Sequence, residues 1–253
     1  MSTHLVIPDA HAHPDFNNDR FEWLGELIAE IKPDHVIGIG DYADMPSLCS
    51  YDMGTKGYEG RRYVKDIEVT LDAQERMFSP IKARKKRMPQ FHMFIGNHEH
   101  RIDRAISSDA AKLEGMISLD DLKYEEFGWD VTGYKGATPG IKEIDGVAYA
   151  HFFTSGVAGR PIGGVSPAYQ LITKQYQSCT QGHGHTLDFC VRTNAGGNDL
   201  YGCTVGCYVD YFADFAGAAN DMWWRGVVVK RGVDKGAYDA EFISLDRIKR
   251  EYS

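Results

Sequence analysis

The sequence predicts a single mixed α/β domain with two β-sheets, on three observations. From residue 4 to about residue 106, short apolar runs alternate with stretches of helical spacing, the pattern of parallel βαβ units joined by right-handed crossovers. After Trp129 the texture changes to short apolar runs linked by glycine-rich turns, which reads mostly as antiparallel strands. No repeat, low-complexity tract or linker interrupts residues 1–253, so one domain is expected.

Taken in order, "HLVIPDAH" is a short buried strand. "DRFEWLGELIAEIKPD" is a helix with Phe21, Leu24, Ile28 and Ile31 on one face, opened by Asp19 with Glu22 three residues later and stopped by Pro33. "HVIGIGD" is a second strand. From Arg61 to about Phe78, Val64, Ile67 and Leu71 keep helical spacing until Ser79 and Pro80 interrupt it. "FHMFIGNHEH" is a third strand that runs into a helix carrying Ile102 and Ile106. "IKEIDGVAYAHFF" reads as a hairpin on Asp145 and Gly146, a pair suited to a type I′ turn, and Ser166 with Pro167 starts the helix "SPAYQLITKQYQ". From Cys179 onward, "LDFCVRT", "LYGCTVGCYV", "RGVVVK" and "YDAEFISL" are strands. Residues 42–60 are long, aperiodic and rich in turn formers, which predicts a lid over a substrate pocket.

Bulk properties narrow the function. A chain 43% hydrophobic and 25% charged is ordinary globular composition. No run approaches the roughly 18 apolar residues of a spanning helix, and "MSTHLVIPDA" has neither a basic leader nor a cleavage site, so no membrane partner and a cytoplasmic location are expected. Five cysteines (Cys49, Cys179, Cys190, Cys203, Cys207), scattered and without a CxxC pair, argue against both a disulfide framework and a thiolate zinc site. The net charge of −8 gives no general attraction to nucleic acid or anionic lipid, so a phosphate-bearing ligand requires a local positive centre.

That centre is signalled where the strands end. Five predicted strands stop at residues able to bind a metal: Asp9 and His11, Asp41, Asn97 with His98, His151, and His183 with His185. In open α/β sheets, ligands collect at the carboxyl ends of the strands. Asp9 and His11, two apart, leave a strand on the same side, and Gly184 lets the chain turn so that both neighbouring imidazoles face inward. The set is too large for one tetrahedral zinc but suits two divalent cations roughly 3.5–4 Å apart that share a carboxylate, with Asp41 as the bridge.

In that order, "DAH" at 9–11, "GD" at 40–41, "GNHE" at 96–99, a lone His151 and "GHGH" at 182–185 resemble the signature of the calcineurin-like metallophosphoesterases. The resemblance implies a metallophosphoesterase-like fold, two mixed sheets packed as a sandwich flanked by helices in four layers. It implies one metal held by Asp9, His11, Asp41 and His185, and a second held by Asp41, Asn97, His151 and His183. His98 would protonate the leaving oxygen, and a metal-bridging hydroxide would attack phosphorus. Two divalent ions set against two aspartates and a hydroxide leave a net positive centre in an acidic protein. His98 must be protonated to act, and Asp44 is the neighbouring carboxylate expected to hold it so.

The implied activity is hydrolysis of a phosphoester, a phosphodiester before a monoester, with nucleotides or nucleic acid among the substrates. The cofactor is a pair of divalent ions, manganese before iron, zinc or nickel. The alternatives are a phosphomonoesterase of the same fold, a DNA exonuclease and a catalytically silent metal-binding module. Protein serine/threonine phosphatases carry a motif like GDYVDRG where this chain has "GDYADMP"; Met45 and Pro46 argue against that role. Phe152 after His151 makes that loop apolar. Arg61, Arg101, Arg160 and His13 are the expected substrate contacts, because their segments leave strand ends or follow metal motifs. His4, His35 and His92, away from the ligand ends, are expected to be packed or exposed rather than ligating. The basic run at 82–87 is expected on the far face, and Trp223, Trp224, Phe212 and Phe215 to cluster beneath the second sheet.

Overall fold

The computed structural model describes residues 1–84 and 87–253, with all their side chains except those of Asp214 and Phe215. Lys85 and Lys86 of the basic run and the Phe215 side chain thus lie outside the described residues. In chain order the elements are β1 (Ser2–Ile7), α1 (Asp19–Ile31), β2 (His35–Gly38), α2 (Tyr63–Ala83), β3 (Gln90–Phe94), α3 (Arg101–Ser108), α4 (Ala110–Leu113), α5 (Tyr124–Phe127) and β4 (Trp129–Thr132). There follow β5 (Lys142–Ile144), β6 (Val147–Ala150), β7 (Thr154–Ser155), β8 (Arg160–Pro161), α6 (Pro167–Gln175), β9 (Cys179–Gln181), β10 (Leu187–Thr193), β11 (Asp199–Val205), β12 (Gly226–Asp234), β13 (Ala237–Ser244) and α7 (Leu245–Tyr252).

Two mixed sheets form. The larger has the order β13-β12-β1-β2-β3-β4, in which β1 to β4 run parallel and β12 and β13 add antiparallel strands. The smaller has the order β10-β11-β9-β6-β5, with β9 parallel to both β6 and β11 rather than antiparallel as the glycine-rich turns suggested. The hairpin at 145–146 forms, with φ of 51° at Asp145 and 85° at Gly146, the two left-handed residues of a type I′ turn.

One buried cluster joins Val6, Ile37 and Phe94 of the larger sheet, and Ile39 just past β2, to Val147, Tyr149, Cys203 and Val205 of the smaller. On the other face of the larger sheet, Leu5, Val36, Phe91 and Met93 pack with Leu24 and Ile28 of α1 and Met77 and Phe78 of α2. Leu171 of α6 packs with Ala148, Ala150 and Cys179 of the smaller sheet. The arrangement is α/β and compatible with a sandwich. All five cysteines are free, and no helix among the described residues is long and apolar enough to cross a membrane.

Two expectations are corrected. Helix α2 does not stop at Ser79; it continues through Pro80 to Ala83. Proline removes a helical N–H, yet Pro80 sits where α1 offers the notch of Gly25, whose missing Cβ would lie 2.7 Å from the proline ring, and burial of Phe78 and Ile81 carries the helix on. Asp19 is also not the cap of α1. Asn18 occupies that position without a side-chain capping bond, because its amide donates to Val69 O and Asp72, while Asp19 pairs with Arg76 at 3.1 Å. Strand β4 and helix α7 were not foreseen, since "WDVT" is short and α7 is mostly charged.

Candidate metal centre

The residues after β1, β2, β3, β6 and β9 converge on one place. Donor atoms of Asp9, His11 and His185 lie within 4.8 Å of one another, as do those of Asp41, His151 and His183. Within the first group, His185 Nε2 is 3.0 Å from Asp9 Oδ2 and 3.3 Å from His11 Nε2. Within the second, His151 Nε2 is 3.3 Å from Asp41 Oδ2 and 2.9 Å from Asn97 Oδ1. The seven residues therefore lie close together: Asn97 joins the second group through His151, and His11 and Asp41 also form a group with His98.

The backbone is bent to achieve this. His11, Asp41, His183 and His185 all have left-handed φ, 45°, 51°, 66° and 55°. Non-glycine residues held so cost on the order of 1–3 kcal/mol each and concentrate at functional sites. Glycines give the carboxylates room: a Cβ at Gly96 would fall 2.2 Å from Asp41 Oδ1, and one at Gly182 would fall 2.3 Å from Asp9 Oδ1.

Electrostatics are set by burial against charge. Burial works to raise Asp41, but His151 and His98 beside it hold its carboxyl well below the usual range. Burial works to lower His151, but Asp41, Asp9 and Glu99 bring it up to about 9. His183 goes the other way, to about 4, through burial and the neighbouring His151. His151 Nδ1 donates to Ile39 O at 3.0 Å, which fixes the tautomer and leaves Nε2 facing the carboxylates.

The chemistry of this donor set fits divalent cations. Asp9 Oδ1 is buried without a hydrogen-bond partner, a costly state for a charged oxygen unless a cation meets it. The donors are imidazole nitrogens and carboxylate and amide oxygens, the mixture that transition ions accept.

His98 borders both groups, its ring 4.5 Å from that of His11. Its Nδ1 donates to Asp44 O at 2.8 Å and lies 3.4 Å from Asp44 Oδ1, while its Nε2 lies 3.2 Å from Arg101 Nη2. Burial opposes its charge, but Asp41 and Asp44 outweigh burial and raise its pKa. Asp44 is where the sequence reading placed it, and its Oδ2 also faces His11 Nδ1 at 3.3 Å.

The other expected contacts divide. Arg101 is at the centre, though its Nη1 is engaged by the carbonyls of Asp44 and Met45. His13 belongs to none of these groups; its ring lies 5.3 Å from that of Phe16. Arg61 instead closes the 42–60 loop on itself, donating to Asp52 at 2.6 Å and to Pro46 O at 3.1 Å. Arg160 lies exposed on the β7–β8 hairpin, and no ion pair among the described residues holds it. Trp224 packs at the inter-sheet cluster, whereas Trp223 sets its ring edge-on at 4.3 Å from His185, so the expected aromatic cluster is split. Phe152 is half-buried, 4.9 Å from the His183 ring.

Two positioning residues were missed. Glu99 is fully buried and accepts from the amides of Asp41, Gly96 and Ala43 at 2.9–3.0 Å and from Tyr124 Oη at 3.1 Å, tying the loops after β2 and β3 together. Arg20, also fully buried, donates to the carbonyls of Ala10, His11, Asn17 and Tyr208 and clamps the Asp9–His11 loop from behind. The fourth letter of "GNHE" could have revealed the first; a lone arginine on an amphipathic helix offers no signal for the second.

Compared with protein-family models, the chain matches none, and no curated protein matches it.

Proposed function

We propose that the protein is a divalent-metal-dependent hydrolase of phosphoesters, phosphodiesters before monoesters, with a metallophosphoesterase-like four-layer fold. In this reading Asp9, His11, Asp41 and His185 hold one ion and Asp41, Asn97, His151 and His183 hold another, manganese being favoured. The observation that carries it is the pair of neighbouring His/Asp groups, with Asp9 Oδ1 buried and without a hydrogen-bond partner. Bound there, the ions supply positive charge for a phosphate and acidity to water.

The rest is work for the chain. Asp41 lies between the groups, its Oδ1 fixed by the His98 amide at 2.8 Å, so its other oxygen is held toward His151. His98 Nδ1 is committed to Asp44 O, and Asp41 and Asp44 favour the charged ring against burial. Nε2, which accepts from Arg101 in this arrangement, is therefore the nitrogen that would carry the proton offered to a leaving oxygen once Arg101 turns to the substrate. Arg101, 3.2 Å from that nitrogen, supplies a guanidinium for an anionic substrate at the same spot. Glu99 and Arg20 keep the loops from drifting, which matters because a misplacement of about 1 Å costs on the order of a hundredfold in rate.

The test is turnover of bis(p-nitrophenyl) phosphate by manganese-reconstituted protein, beside labelled single- and double-stranded DNA, cyclic nucleotides and nucleoside monophosphates, with chelated protein as control. Hydrolysis that chelation abolishes is expected. No turnover on any phosphoester by metal-loaded protein would contradict the proposal and favour a silent metal-binding module.

A further inference from the structure

The three histidines that the strand-end pattern left aside do not scatter. His4, His35 and His92 have the same parity as Val6, Ile37 and Phe94, so they point toward the second sheet from the end of the larger sheet remote from the metal centre. His4 and His35 are direct neighbours across the β1–β2 ladder, and the β5–β6 turn brings Asp145 over them. His4 is fully buried, and a cleft of ≈ 720 Å³ lined by Ser2, His35, Arg87, Asp145 and Lys235 opens beside it. Five residue steps of extended chain lead from His4 to Asp9, about 17 Å, so this cluster is a separate place.

Its donor atoms are close enough to face a single ion. His4 Nε2 lies 3.0 Å from Asp145 Oδ2, and His35 Nε2 lies 3.7 Å from the same oxygen. Ser2 Oγ lies 2.9 Å from His4 Nε2 and 2.5 Å from Asp145 Oδ2. Donors of His4, His35 and Asp145 lie within 4.8 Å of one another. Bonds of about 2.0–2.1 Å to a tetrahedral ion put ligand atoms about 3.3 Å apart, the middle of the two spacings to the carboxylate. The remaining ring nitrogens are oriented: His4 Nδ1 contacts Tyr149 Oη at 2.8 Å, and His35 Nδ1 contacts His92 Nε2 at 3.1 Å. Ligating imidazoles are held by partners of this kind.

We infer that His4, His35 and Asp145 bind one further divalent ion of the zinc class, with Ser2 beside the fourth position and that position facing the cleft. Two imidazoles exclude calcium and magnesium as the natural occupants, since those ions take oxygen ligands. The ion ties the β5–β6 turn of the smaller sheet to β1 and β2 of the larger, closing the open end of the inter-sheet core. This inference does not depend on the proposed phosphoesterase activity.

The experiment is a zinc count on full-length protein, chelated, reconstituted with zinc, dialysed and measured by elemental analysis, for wild type, His35→Gln and Asp145→Asn. Each variant is expected to hold one zinc fewer than wild type. That difference holds whether the other centre binds two ions or none, so the two readings fail separately. Equal counts in wild type and both variants would overturn the inference. Should a variant lose its circular-dichroism signature, the anomalous difference map of zinc-soaked wild-type crystals decides: a peak between His4 and Asp145 supports the site, and its absence overturns it.

Discussion

His98 donates its Nδ1 proton to the main-chain carbonyl of Asp44 at 2.8 Å, while the carboxylate of the same residue stands 3.4 Å from that nitrogen. One residue thus orients the ring through its backbone and biases the ring's charge through its side chain, and the two effects are separable by mutation.

His98→Ala should keep the metal content and lose roughly 10²–10⁴ in kcat, the usual worth of a positioned acid. Asp44→Asn keeps the carbonyl bond, so it should cost less, about 10–100-fold, with the alkaline limb of the pH–rate profile moved to lower pH. Elemental analysis beside the rate measurement checks both. Full activity in His98→Ala would remove the acid role.

Glu99→Gln replaces one acceptor oxygen with an amide that faces N–H donors. Oε2 serves Asp41 and Gly96, and Oε1 serves Ala43 and Tyr124, so either orientation leaves buried donors facing the new amide. A loss of about 1–3 kcal/mol in urea unfolding is expected, together with weaker metal binding by titration. Unchanged stability and unchanged affinity would mean that Glu99 does not tie the loops.

Lys230 is fully buried, its Nζ bonded to Thr180 and set 4.5 Å from the Tyr149 ring and 4.4 Å from the Tyr238 ring. Burial lowers its pKa from 10.5 to about 7. Between those values the unfolded chain binds more protons than the folded one, so its contribution to stability rises with pH. From pH 7 to 9 unfolding free energy should rise by about 1–3 kcal/mol relative to Lys230→Met over the same interval, a comparison in which the opposing titration of the buried cysteines is common to both proteins. Parallel profiles for the two proteins would refute this.

The 42–60 loop is two segments. Residues 42–48 are largely buried, with Ser47 bonded to Asp66 at 2.6 Å, whereas residues 50–60 are mostly exposed and held back by Arg61 on Asp52. Arg61→Ala should speed proteolysis within 50–60 and alter substrate preference, with metal content unchanged. Equal proteolysis rates would show that the ion pair does not restrain the segment.

The sequence was legible where spacing carries physics. Apolar runs ending in Asp9, Asp41, Asn97, His151 and His183 pointed to the candidate residues that the fold brings together, because parallel strands deliver their ends to one edge. Pro80 misled because the notch at Gly25 that accommodates it belongs to another helix. The meeting of His4, His35 and Asp145 was hidden for the same reason: it depends on which turn the second sheet lays over the first, a relation that no local pattern encodes.

The most direct test of the central claim is an anomalous difference map from crystals of the manganese-reconstituted protein. The account predicts two peaks flanking Asp41, one against Asp9, His11 and His185 and the other against Asn97, His151 and His183. A map empty at that place, from crystals that diffract well and were grown with excess metal, would contradict it.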